Sequence, residues 1–96
     1  MRPSEALELY RADIRRIVSE NRSSNPCVFG SVLHGKDTEE SDLDLLIEPT
    51  KKTSLMDLAR IEEALEALMG VSIDVLTPGS LPEKFRNRVL AESIPV

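Results

Sequence analysis

The sequence predicts an α/β fold, a small mixed β-sheet with helices packed on it. Three observations lead there. Apolar residues recur at three- and four-residue steps from Leu7 to Val18 and again from Leu55 to Leu68, the spacing of one helix face. Over Asp42–Ile47 and Val71–Leu76 they alternate instead, the spacing of a strand. The second helical stretch lies between those two strands, which permits a crossover connection. At 96 residues the chain has surface for one core, so residues 1–96 form one domain.

The first helix has Leu7, Tyr10, Ile14, Ile17 and Val18 on its apolar side and stops near Asn21, because Arg22, Ser23, Ser24, Asn25 and Pro26 form a turn cluster. Cys27–Phe29 is a short apolar strand that ends at Gly30 and Ser31, before a polar loop from Gly35 to Ser41. In the next strand Asp42, Asp44 and Leu46 share one face, while Leu43, Leu45 and Ile47 share the core face. Glu48–Thr53 is a polar connection. Ser54 and Asp57 then have capping-box spacing, and a helix follows with Leu55, Leu58, Ile61, Leu65 and Leu68 as its apolar side, ended by Gly70. Val71, Ile73 and Val75 alternate with Ser72, Asp74 and Leu76 in the third strand. After the turn Thr77-Pro78-Gly79, Ser80 and Glu83 repeat the capping-box spacing and open a last helix with the stripe Leu81, Phe85 and Val89.

Composition narrows the partners. The hydrophobic share of 41% and charged share of 30% are those of an ordinary globular protein, and no apolar run approaches the roughly 18 residues of a membrane span. With no secretory pattern after Met1, a cytoplasmic protein is expected. The net charge of -5 argues against direct binding of nucleic acid, which asks for a basic stripe. Tyr10, Phe29 and Phe85 are the only aromatic residues, and each falls in an apolar pattern that reads as core packing. Cys27 has no partner for an intramolecular disulfide and reads as a small buried hydrophobe.

The chemistry gathers at three places: Gly30-Ser31 at the end of one strand, Asp42 and Asp44 on one face of the next, and Asp74 on the third. Strand alternation allows the three carboxylates to collect on one side of the sheet. Magnesium prefers such oxygen ligands, and a pair of ions can clamp the attacking and leaving oxygens of a phosphoryl transfer. A glycine lets backbone approach a phosphate closely, and the neighbouring serine adds a hydroxyl donor.

The run Gly30-Ser31-Val32-Leu33-His34-Gly35, followed by Ser41-Asp42-Leu43-Asp44-Leu45-Leu46-Ile47, resembles the signature of the polymerase-beta-type nucleotidyltransferase superfamily. Ser72-Ile73-Asp74-Val75-Leu76 resembles its third-carboxylate strand, and the short length is similar to the minimal nucleotidyltransferases, antitoxins of two-gene modules with HEPN-domain toxins. The resemblance implies Asp42, Asp44 and Asp74 as catalytic residues and magnesium ligands, with Asp74 helping to deprotonate the acceptor. It also implies Gly30 and Ser31 as contacts to the phosphates of ATP. The acceptor would be a tyrosine hydroxyl of the partner toxin, and the assembly a homo-oligomer or a hetero-oligomer with that toxin. The family usually carries arginine where this chain has His34, a mostly neutral group at pH 7. Two other readings stand beside this one: an antitoxin that neutralises by contact alone, and a transferase acting on a small molecule of the aminoglycoside type.

Overall fold

A computed structural model describes residues 1–96. Its first helix, α1 (Pro3–Glu20), starts a full turn earlier than the apolar spacing indicates. Pro3 supplies a first residue that needs no donor. The Arg2 backbone N–H donates to Glu5 Oε1 at 2.9 Å, and the Ser4 N–H donates to the buried Asp37 carboxylate at 2.8 Å. Asp37 therefore pins the loop after the first strand to the start of α1. Ala6, Leu7, Ile14, Ile17 and Val18 are buried, and Tyr10, where the helix is kinked, packs partly buried against them.

The segment Arg22–Pro26, expected as a turn, stops α1 but then belongs mostly to β1 (Ser23–Phe29). Its turn-forming residues serve a bulge. Arg22 and Asn25 take positive φ angles of 58° and 47°, and the pairing register shifts between Ser24 and Cys27. Strand β2 (Leu43–Pro49) runs antiparallel to β1, and helix α2 (Leu55–Met69) crosses over to β3 (Ile73–Leu76), which pairs with β2 in parallel. A short β4 (Ile94–Pro95) adds to the other side of β1, so the sheet order is β3-β2-β1-β4.

The capping box at Ser54 and Asp57 is formed. The Ser54 N–H donates to Asp57 Oδ2 at 2.9 Å and the Asp57 N–H to Ser54 Oγ at 3.3 Å, while Gly70 ends the helix with φ 71°. The buried side of α2 is Asp57, Ile61, Leu65 and Met69, with Leu58 partly covered. Leu55 and Leu68, expected on that side, are 83% and 40% exposed. The expected box at Ser80 and Glu83 is absent, because a 3-10 turn over Pro78–Ser80 engages Ser80, whose Oγ accepts the Thr77 N–H at 2.9 Å. Helix α3 (Glu83–Glu92) begins only after Pro82 and buries none of its residues.

The core lies between one sheet face and the α1/α2 layer. Val28, Leu43, Leu45, Ile47, Ile73 and Val75 supply the sheet side of it. Cys27, expected to be buried, is only partly so. No helix is long and apolar enough to cross a membrane.

Candidate active site

The parity of β2 and β3 decides what the second sheet face carries. Burying Leu43, Leu45, Ile73 and Val75 against the helices turns Asp44 and Asp74 to the opposite face. The parallel register then sets Asp44 directly beside Asp74, and the antiparallel register sets Phe29 on the other side of Asp44. Asp42 stands one residue before β2 and is exposed, as is Asp74, whereas Asp44 is half-buried.

These three carboxylates feel one another. Burial raises the Asp44 carboxyl to about 6, and the negative charges of Asp74 and then Asp42 push in the same direction. All three influences oppose its ionisation, so a cation is the natural means of relieving them. No trio of acidic, histidine or cysteine side chains is drawn together at ion-holding distance.

Gly30 is built into the same corner. Its φ of 75° lies in the left-handed region, and a Cβ placed there would overlap the Asp44 carboxylate. Glycine thus meets a need of backbone and of space together. From Gly30 the loop coils back through hydrogen bonds from the His34 N–H to the Gly30 carbonyl (3.2 Å) and from the Lys36 N–H to the Ser31 carbonyl (2.9 Å). Buried Val32 anchors it. Ser31 is therefore part of the coil that follows Gly30.

His34 leaves that coil toward α3, where its Nε2 lies 3.2 Å from Glu92 Oε2. Phe85 is not a core residue as expected. It is 40% exposed and lines a cleft of about 310 Å³ together with Phe29, Gly30, His34 and Arg88. In the sequence, Phe85, Arg88, Val89 and Glu92 follow the three- and four-residue steps of one helix face, a spacing that groups them without telling a core from a cleft. Arg86, by contrast, binds the backbone. Its guanidinium donates to the carbonyls of Pro78 and Leu81, both at 2.9 Å, and ties α3 to the turn before it. Lys51 and Lys52 are exposed in the connection before α2.

Comparison with known proteins identifies the family. Residues 11–96 match the nucleotidyltransferase domain family. Protein adenylyltransferase MntA of Thermococcus cleftensis is 38% identical over 67 residues, which are 70% of this chain and 68% of that protein. A solved structure of a candidate minimal nucleotidyltransferase is 36% identical, superposes with a TM-score of 0.86, and covers 97% of this chain and 95% of its own. A toxin–antitoxin structure with AMP-PNP shares the fold, with a TM-score of 0.74 at 15% identity over 88% of this chain and 69% of that one. From a family match over nearly its whole length and two relatives above a third identical, the chain belongs to the nucleotidyltransferase domain family, as its strand-borne aspartates and Gly30-Ser31 corner led one to expect.

Proposed function

We propose that this nucleotidyltransferase is a magnesium-dependent protein adenylyltransferase that moves AMP from ATP to a tyrosine hydroxyl of a HEPN-type toxin, and so acts as an antitoxin. The observation that carries the reading is the pairing of Asp44 with Asp74 in parallel register, with Gly30 against the Asp44 carboxylate. Asp42, Asp44 and Asp74 are the residues that would hold magnesium, which when bound neutralises triphosphate charge and acts as a Lewis acid. The strained charge state of Asp44 fits such an ion.

The chain's own groups then have separable tasks. Gly30 leaves room for the Asp44 carboxylate to pack against the start of the loop, and Ser31 would offer a hydroxyl to a phosphate. Asp74, the more exposed of the paired carboxylates, receives the proton of the acceptor hydroxyl. The hydroxyl oxygen bonds to the α-phosphorus as the bond to the β-phosphate oxygen breaks, and pyrophosphate departs with the electron pair. A docked protein acceptor would hold its own hydroxyl in line. The name of the Thermococcus relative and the toxin–antitoxin pair that shares the fold both support a protein acceptor.

Incubation with the toxin, ATP and magnesium, followed by intact-mass measurement, tests this. The expected result is addition of one or more AMP units on tyrosine, lost in Asp42→Asn and in chelator. Neutralisation of the toxin without a mass change, and equally by Asp42→Asn, would replace the reading with inhibition by contact.

A further inference from the structure

The face that carries Asp44 also carries the larger of the two hollows in the molecule, and its lining is unusual for this chain. Of only three aromatic residues, two line it: Phe29 from the end of β1 and Phe85 from α3. Its volume of about 310 Å³ sits at the lower end of the range of small-ligand sites, roughly 300 to 1,000 Å³. Leu76, Leu81 and Val89 complete an apolar floor, while His34, Arg88 and Glu92 are its charged or titratable members.

Two facts point to what enters. Phe85 is 40% exposed, with the Arg88 guanidinium 5.3 Å and the Lys84 ammonium 5.6 Å from its ring centroid, a flat surface that attracts cationic partners. Gly30 is both a wall of the cleft and the residue packed against the Asp44 carboxylate, so a ligand with one end in the cleft has its other end at the carboxylates. A flat apolar group joined to a polyanion satisfies both ends. The second hollow, about 200 Å³ around Cys27, Leu46 and Leu90, has no aromatic lining and shares no residue with the Gly30–Asp44 corner.

We propose that this cleft receives the nucleoside of the triphosphate, with the base lying against Phe85 and Arg88 at its edge, so that α3 supplies the base-binding wall. The proposal rests on the nucleotidyltransferase reading and adds to it the residues that grip the base. Phe85 would then contribute to affinity for a nucleotide and nothing to affinity for its phosphates alone, whereas Arg88, a cation, would add to both. His34 and Glu92, whose Nε2 and Oε2 lie 3.2 Å apart, both line the cleft.

Calorimetric titration of the full chain with ATP and with inorganic tripolyphosphate, each with magnesium, separates the outcomes. Phe85→Ala should weaken ATP by about tenfold, the value of one base–aromatic stack, and leave tripolyphosphate within about twofold. Because α3 buries no residue, the variant should keep the wild-type circular dichroism. Should it not, Phe85→Leu, which keeps apolar bulk without a π-face, must show the same selective loss of ATP. Unchanged ATP affinity in folded Phe85→Leu or Phe85→Ala, while Asp44→Asn still abolishes magnesium-dependent binding, overturns the base-site proposal and leaves the enzyme reading standing. Failure of the wild type to bind ATP in magnesium would overturn both.

Discussion

Asp44 and Asp57 are both withdrawn from solvent, and their surroundings push them in opposite directions. Asp57, 1% exposed at the start of α2, is fully engaged: Ser54 gives it a backbone N–H, and Arg22 and Arg60 lie at 3.1 and 3.2 Å. The Ser54 hydrogen bond first, and then the arginines, hold its carboxyl below the usual range despite its burial. Asp44 is half-buried beside two other carboxylates and is pushed up to about 6. A carboxylate whose needs are met within the chain belongs to the architecture, whereas one left in conflict needs something from outside it.

The contrast is tested most severely by exchanging each carboxylate in turn. On the proposed metal-assisted reaction, Asp44→Asn should cut transfer by about a hundredfold or more, while the fold stays intact or gains stability in chelator. Loss of activity together with a lower melting temperature would erase the distinction between the two residues. Asp57→Ala should do the reverse to the fold, lowering the melting temperature further than Ser54→Ala, whose loss of a helix cap costs about 1 kcal/mol.

Their pH dependences should also run oppositely. A lowered carboxyl such as Asp57 adds stability that is complete above the unfolded value of 3.8 and disappears as pH falls through the lower folded value. A raised one such as Asp44 opposes folding fully above about 6, and that opposition fades as pH falls from about 6 to 3.8. In chelator, melts of the wild type should therefore rise on acidification through the upper window and drop steeply in the lower one. Asp44→Asn should remove the rise and Asp57→Asn should flatten the drop.

Smaller effects are expected around the carboxylates. Gly30→Ala should destabilise by about 1–2 kcal/mol through its left-handed backbone and should weaken ATP binding by displacing Asp44. Normal ATP binding in that variant would show that the corner is roomier than its geometry indicates. His34→Arg should strengthen triphosphate binding by only about two- to fivefold, since Glu92 competes for the new cation. Adding Glu92→Gln should enlarge that gain.

Much of this was legible in residue order because alternation is a strict rule. Once Leu43, Leu45 and Val75 are assigned to the core, Asp44 and Asp74 have no other face to occupy. Their side-by-side register was not legible, since it depends on how far the crossover helix α2 carries the chain. Helix faces were less secure. A stripe of leucines suggested Leu55 and Leu68 as core, whereas Asp57, satisfied by its arginines, and Met69 hold those places. The Arg22–Pro26 segment misled because the same residue types suit a turn and a bulge within a strand. Phe85 misled because an apolar periodic position looks the same whether it faces a core or a cleft.

Helix α3 gives the molecule a part that can change cheaply. Asp44 and Asp74 stand on strands whose other face is the core, so their surroundings are constrained by folding itself. The wall opposite them is a helix with no buried residue, fastened at one end by Arg86 and at the other by β4. Substitutions at exposed positions of α3 should therefore cost little stability, within about 0.5 kcal/mol each. New ligand preferences can be explored there by mutation while β2 and β3 stay fixed. A randomised α3 face should yield mostly folded variants, and a library that mostly failed to fold would show that this helix carries more of the structure than its burial implies.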